Sequence, residues 1–104
     1  MSAANQTATS PAAESLTSEA QPYLLRGVRL KHDQVRKCWV LLAPERFLRL
    51  NAVSVDILQR CDGASTLTGI VNELTEKYKA DRAVVERDVR ALLTGLLEKR
   101  MLGL

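Results

Sequence analysis

The sequence predicts a small α+β domain, in which a three-stranded antiparallel sheet is followed by three helices. Between residues 28 and 50, apolar residues alternate with polar ones or form one short apolar run, as β-strands do. From Asn51 onward, apolar residues recur every three or four positions, as on one face of a helix. The length of 104 residues suits one domain with one core, which excludes multidomain enzymes.

The three strands follow from the alternation. Residues 28–33 alternate between apolar and charged side chains and predict a half-buried edge strand. After a polar turn at residues 34–37, the apolar run 38–43 predicts the central strand. Pro44-Glu45 predicts a tight turn, because proline presets φ for the first central position. Residues 47–50 then return as the third strand.

The central and third strands leave apolar side chains for the outer face of the sheet. Alternation is expected to place Trp39, Leu41 and Phe47 there. Either the segment 23–25 folds over them or a partner covers them.

Helix boundaries follow from capping residues. Asn51 suits the N-cap of the first helix, which Asp62-Gly63 is expected to end. A serine or threonine at positions 65–66 caps the second helix, and the third runs from Asp81 to about Arg100. The residues expected to face inward are Val53, Ile57, Leu58 and Cys61 on the first helix, Leu67, Ile70, Val71, Leu74 and Tyr78 on the second, and Val85, Val89, Leu92, Leu93, Leu96 and Leu97 on the third.

The chain divides at residue 22. Residues 1–22 are rich in alanine, serine and threonine without apolar periodicity, which predicts a disordered tail or linker, and residues 23–104 form the domain. No stretch approaches the roughly 18 to 20 apolar residues of a membrane span, and the start does not resemble a secretory signal. A soluble cytoplasmic protein without a membrane partner is expected.

The net charge of +3 is unevenly distributed. Residues 23–50 hold seven basic and two acidic residues, whereas residues 51–104 hold eight of each. The positive charge of the domain therefore belongs to its strands.

The sequence predicts neither catalysis nor a cofactor. Nucleophilic catalysis needs a base beside the nucleophile, and His32, the only histidine, falls in a strand, where a packed or surface role is more common. Cys38 and Cys61 lack CxxC spacing and cannot complete a zinc site with one histidine, so two free thiols and no metal are expected. The chain is therefore predicted to be a binding module and not an enzyme.

Two kinds of binding module fit the pattern. Three helices with a small sheet suggest a winged helix-turn-helix-like fold and hence a DNA-binding module of a transcription regulator. However, phosphate contacts require basic residues on the helix that enters the groove, and the helical half is neutral, so no nucleic-acid partner is expected. An enzyme fragment or carrier is a third alternative, but no attachment serine is recognisable.

Peptide recognition by strand addition fits better, because the basic third strand ends the predicted sheet. Arg46 and Arg49 on that strand could attract an acidic peptide. The third helix offers a stripe beside its core face, made of Val84, Asp88, Ala91 and Gly95. Alternatively, the arginines only protect an edge and Gly95 only weakens its helix by about 1 kcal/mol.

Several motifs in residues 23–104 resemble those of the PqqD family, the peptide chaperones of pyrroloquinoline quinone biosynthesis and RiPP precursor recognition elements. They are Trp39-Val40-Leu41-Leu42 before Pro44-Glu45, then Leu50-Asn51, Ile57-Leu58, Cys61-Asp62-Gly63, and Ile70-Val71 with Leu74 and Tyr78. Members often have glycine after Pro-Glu, where this chain has Arg46. Some members are fused to PqqC, so the tail could derive from an inter-domain linker.

The resemblance implies a winged helix-turn-helix-like domain without catalytic activity. It implies that the domain binds the precursor peptide PqqA and presents it to the radical SAM enzyme PqqE, which cross-links a Glu and a Tyr of that peptide. The peptide would add as a strand in a cleft between the third strand and the third helix. The corresponding residues here are Arg46, Phe47, Leu48, Arg49, Leu50, Val84, Arg87, Asp88, Ala91 and Gly95. The Cys61-Asp62-Gly63 motif would be structural or would serve the enzyme partner.

Overall fold

A computed structural model describes residues 14–104 and confirms the α+β class. Three strands in antiparallel order precede three helices, and a short second sheet joins the two ends of the domain. The elements in chain order are β1 (Tyr23–Leu24), β2 (Arg29–Asp33), β3 (Cys38–Ala43), β4 (Arg46–Leu50), α1 (Ala52–Gln59), α2 (Leu67–Tyr78), α3 (Arg82–Glu98) and β5 (Leu102–Gly103). No helix within residues 14–104 is long and apolar enough to cross a membrane.

The main sheet has the order β2-β3-β4, with β3 in the centre as predicted. Pro44-Glu45 forms a two-residue turn, and Ala43 pairs with Arg46 on either side of it. Arg46 does not have a positive φ, so the position at which family members often have glycine needs no glycine here. The hairpin forms with arginine at this position.

The assignment of Leu41 to the outer face of the sheet is wrong. Leu41 is fully buried on the inner face, where it packs with the helices. Trp39 shares that face because it lies two residues away, whereas Phe47 pairs with Leu42 on the outer face. The alternation was correct along each strand, but the pairing across the turn places Trp39 and Phe47 on opposite faces.

The expected cover of the outer face by residues 23–25 is also wrong. Tyr23–Leu24 forms β1, which pairs antiparallel with β5 next to the end of α3. Gly103 lies so close to the Tyr23 ring that a Cβ atom there would be 2.5 Å from Cζ. A larger residue at 103 would therefore require the Tyr23 ring to move.

The boundary at residue 22 needs correction. Leu16 is only 2% exposed and belongs to the core. The backbone N–H groups of Leu67 and Gly63 donate to the carbonyl groups of Ala20 and Pro22, at 2.8 and 3.0 Å. Residues 16–22 are thus packed onto the helices by the buried side chains of Leu16 and Pro22 and by hydrogen bonds, although the segment has no apolar periodicity. The linker prediction for residues 1–13 lies outside the described residues.

The helices begin at the positions that the capping residues indicated. Asn51, Thr66 and Asp81 each accept a hydrogen bond from a backbone N–H in the first turn. The end of α1 differs, because the helix stops at Gln59 and Gly63 adopts φ of +81° in the loop beyond it. The glycine forms a turn and not the helix terminus.

One hydrophobic core joins the three helices to the inner face of the sheet. Most of the predicted inward residues are buried, including Ile57, Ile70 and Leu93. Val53 and Tyr78 are exceptions, with 44% and 41% of their surface exposed. Both prove to lie at the candidate site.

Candidate functional site

The free edge of β4 has a backbone register that follows from the turn. Ala43 and Arg46 are the first and last residues of a β-turn, so they form a hydrogen-bonded pair. Hydrogen-bonded and non-hydrogen-bonded pairs alternate in an antiparallel ladder, so Leu48 also bonds to β3. The backbone N–H and C=O groups of Phe47 and Arg49 consequently face away from β3. Because β4 ends the sheet, these groups are available to an added strand.

The side chains of β4 divide between the two faces of the sheet. Leu48 and Leu50 pack against the core on the inner face. Phe47, 60% exposed, and Arg49 lie on the outer face. Arg46 and Arg49 are three residues apart and so lie on opposite faces, which means that they cannot act as one pair towards an acidic peptide.

An apolar cavity of about 150 Å³ opens between the three helices. Val53 and Tyr78, with Val84 of α3, are the large apolar residues of its lining that are exposed. The remaining lining residues are Ile57, Leu74, Ala80, Val85, Asp88 and Val89. Val53, which lines the cavity, follows Leu50 by three residues, so its Cα atom lies within roughly 11 Å of the Leu50 Cα atom at the end of β4. An apolar side chain carried along that edge would find a pocket there.

A hydrogen-bonded network fixes one wall of this cavity. The hydroxyl group of Tyr78 and the ammonium group of Lys77 both donate to the Asp56 carboxylate, the latter at 2.9 Å. These two interactions, the tyrosine first, hold the pKa of Asp56 below its ordinary value, and the hydrogen bond to Asp56 raises the pKa of Tyr78. The network joins α1 to α2 and positions the Tyr78 ring at the cavity.

Only some of the α3 residues that were expected at the peptide site line this cavity. Val84 and Asp88 line it. Arg87, Ala91 and Gly95 lie outside that lining, and a Cβ atom on Gly95 would meet no atom of the chain within 4 Å. The small residues thus leave open surface along α3, and their contact with a peptide stays a prediction.

The charges of α3 do not favour a groove-binding helix for DNA. Glu86 accepts from Arg82 at 3.1 Å and from Arg90 at 2.9 Å, and Arg87 lies 3.6 Å from the Asp88 carboxylate. Paired guanidinium groups have less positive charge to offer to phosphates.

The Cys61-Asp62-Gly63 motif has a structural role. Burial raises the pKa of the Cys61 thiol to about 12, so this thiol stays protonated and is not a nucleophile. The Asp62 carboxylate accepts the backbone N–H groups of Ser65 and Ala64, which lowers the pKa of Asp62. Both cysteines are free thiols.

His32 packs edge-on against the ring of Trp39, with the ring centroids 5.2 Å apart. The His32 side chain is exposed, so it has the surface role that was one of the two expected for a histidine in a strand. Within residues 14–104, no three histidine, cysteine or acidic side chains are placed to hold a metal ion.

The sequence did not identify Val53 and Tyr78 as site residues. Both occur at helical spacing with core residues, and such a pattern does not separate a buried position from one at the mouth of a cavity. The only available signal was position, because Val53 lies in the first turn of α1 and Tyr78 is the last residue of α2.

Comparisons with known proteins show similarity in sequence and in fold. The family model for coenzyme PQQ synthesis protein D (PqqD) matches residues 38–102. A PqqA binding protein of Rhodopseudomonas palustris is 47% identical over 88 residues, which cover 85% of this chain and 86% of that protein.

Two solved structures share the fold. One is the solution NMR structure of the PqqD truncation of Methylobacterium extorquens PqqCD, a functional and stand-alone RiPP recognition element. It has a TM-score of 0.72 and 41% identity, and the match covers 88% of this chain and 99% of that one. The other is lasso peptide synthetase B1 complexed with the leader peptide, with a TM-score of 0.69, 26% identity and coverage of 82% and 100%.

Proposed function

This chain belongs to the PqqD family, and from this membership and its open sheet edge we propose that it binds the precursor peptide PqqA and presents it to the radical SAM enzyme PqqE. The observation that carries the proposal is the register of β4, which turns the backbone groups of Phe47 and Arg49 towards an open edge next to an apolar cavity. Relatives named PqqA binding protein and a solved relative bound to a leader peptide support it.

In this proposal PqqA adds to the sheet as a fourth strand beside β4. Backbone hydrogen bonds from Phe47 and Arg49 hold the strand, and they do so without regard to the peptide's side chains. Selectivity then comes from the cavity, which accepts an apolar side chain, and from exposed basic residues such as Arg46, which attract acidic ones.

The domain has no chemical step of its own in this proposal. The Cys61 thiol is protonated and His32 is packed on Trp39, so neither is arranged as a nucleophile or as its base. The domain contributes by holding the peptide and PqqE together, which raises the effective concentration of the peptide at the enzyme. PqqE performs the Glu-Tyr cross-link.

Binding and turnover measured together test the proposal. Calorimetry should show that PqqA binds the domain and that a peptide of the same composition in scrambled order does not. PqqE should cross-link PqqA faster with the domain present, and the domain alone should leave PqqA unmodified. Equal binding of both peptides would contradict recognition of PqqA, and an unchanged rate would contradict presentation.

A further inference from the structure

The outer face of the main sheet is a second surface, opposite the core. Side chains directly across from one another in the ladders lie on the same face. Two such rows cross the outer face: Lys31, Val40 and Arg49 form one, and Arg29, Leu42 and Phe47 form the other. Each row has an apolar residue in the centre and a basic residue on at least one side. These six residues are called the basic sheet face below.

We propose that the basic sheet face docks an acidic surface patch of the enzyme that receives the peptide. The inference rests on the proposed function, because it assigns the surface that PqqE contacts. Arg29, Lys31 and Arg49 are exposed, and none of them has an ion-pair partner within the part of the chain that the structure describes. Charges that are unpaired in the free protein are available to a partner of opposite charge.

Asp33, an acidic side chain on this face, is already engaged. Asp33 accepts from the backbone N–H of Arg36 at 3.1 Å and from its guanidinium group at 3.2 Å. The potential over the face is therefore set by the three free basic residues. A carboxylate-rich rim on the partner would complement it.

The centre of the face suits a protein surface. Two shallow depressions of about 430 and 510 Å³ share Val40 and Leu42, and the exposed Phe47 borders one of them. An apolar centre inside a charged rim is the usual anatomy of a protein interface. Single-stranded nucleic acids are held by several stacking side chains, and of the six residues of the basic sheet face only Phe47 is aromatic.

Two other occupants are less compatible with the charge. A second copy of this chain would place one basic rim against another, which is repulsive. Residues 1–13 contain no acidic residue and so could not neutralise the face. The complementary charge has to come from another protein.

The basic sheet face can be tested separately from the peptide site. Arg29 and Lys31 lie on β2, two strands and so roughly 10 Å from the open edge of β4. A peptide along that edge and an enzyme on this face can bind at the same time. Presentation requires such a ternary complex.

The experiment compares two charge-reversed variants that have the same net charge. Arg29→Glu/Lys31→Glu alters the basic sheet face, and Lys79→Glu/Lys99→Glu alters exposed lysines that follow α2 and α3. The affinities of each variant for PqqE carrying its own cofactors and for PqqA are measured by calorimetry. If thermal unfolding shows that Arg29→Glu/Lys31→Glu is less stable than the wild type, the milder variant Arg29→Gln/Lys31→Gln replaces it.

We expect the β2 variant to bind PqqE at least tenfold more weakly than the control variant, while both bind PqqA equally. Unchanged PqqE affinity would overturn the proposal and leave peptide binding intact. If both variants lose the same amount of PqqE affinity, the loss reflects net charge and the proposal is overturned. Wild-type domain that binds PqqA but not PqqE would overturn both this inference and presentation. Binding of a mixed-sequence DNA duplex, lost in the β2 variant, would assign the face to nucleic acid.

Discussion

Leu48 lies opposite Leu41 as a hydrogen-bonded pair of the β3–β4 ladder, which directs the backbone groups of its neighbours Phe47 and Arg49 to the open edge. The backbone N–H of Leu48 is thus used within the protein, and the two flanking N–H groups are free for a peptide. The residues at which strand addition can be tested are therefore Phe47 and Arg49.

Proline at position 49 tests the edge directly. Proline is tolerated on an edge strand when its missing N–H faces solvent, so Arg49→Pro should fold. The variant should bind PqqA at least about tenfold more weakly than Arg49→Ala, because it also loses a backbone donor and places a ring at the edge. Arg49→Ala is the matched control, since it removes the same side chain and keeps the N–H. Equal affinities in calorimetry would exclude a peptide hydrogen bond at this residue.

The cavity should contribute to peptide affinity through Val84. This side chain is 41% exposed in the free protein, and covering it with a peptide should contribute about 1 kcal/mol. Val84→Ser is expected to weaken PqqA binding about fivefold without lowering the melting temperature by more than about 2 °C. Val35→Ser, at a 92% exposed valine in the β2–β3 turn, should leave PqqA affinity unchanged. If both variants bind PqqA as the wild type does, the cavity is not part of the site.

Leu16 should be important for stability although it lies outside the matched family region. Leu16→Ala removes a side chain that is 2% exposed in the core, so we expect a loss of about 2–4 kcal/mol in the free energy of unfolding. Leu104→Ala, at a 40% exposed leucine, should cost less than about 1 kcal/mol. Urea denaturation measures both. A loss below about 1 kcal/mol for Leu16→Ala would show that residues 16–22 do not belong to the folded unit.

The Asp56 network predicts a pH dependence of stability. The folded-state pKa of Asp56 is lowered, so its contribution is present above its unfolded pKa of about 3.9 and is lost as pH falls through the folded value. Tyr78 has a raised pKa, so its contribution is present below about pH 10 and is lost as pH rises through the folded value. Denaturation of Asp56→Asn should therefore show a shallower decline in stability between about pH 5 and pH 2. If the stability of the wild type and of Asp56→Asn declines equally over this pH range, the Asp56 network does not contribute to the pH dependence of stability.

Thiol reactivity should distinguish the two cysteines. With a pKa of about 12, Cys61 has roughly a thousandfold less thiolate at pH 8 than an ordinary thiol, and it is buried. A chromogenic disulfide reagent should modify the Cys38→Ala variant only after unfolding. Rapid modification of Cys61 in the native state would contradict its burial.

The sequence predicted well where the strands and helices lie. It predicted less well how the strands pair and which of their faces pack on the helices. Periodicity located each strand of the main sheet and each helix, since it reports which side of an element is apolar. It did not reveal β1 and β5, because two-residue strands have no period. Leu41 was assigned to the wrong face for a similar reason: alternation relates residues within a strand, and only pairing and packing decide which face meets the helices.

The candidate site was also predicted in part: the sequence indicated some of its residues but not how they are oriented. Arg46–Leu50 and Val84 were named from the family resemblance, with Arg46, Arg49 and Val84 also indicated by charge and spacing, and the structure places them on an open edge and at a cavity. Val53 and Tyr78 were assigned to the core, because a stripe of apolar residues does not indicate where the packing stops. The opposite orientations of Arg46 and Arg49 follow only once the register of the turn is known.

The most direct test of strand addition is amide hydrogen exchange of the domain with and without PqqA. The register turns the N–H groups of Phe47 and Arg49 outward on β4 and, by the same alternation, those of Leu30 and His32 outward on β2. We predict that PqqA slows exchange at Phe47 and Arg49 at least about tenfold and leaves Leu30 and His32 unchanged. Protection at Leu30 and His32 instead, or at none of the four, would contradict binding of the peptide along β4.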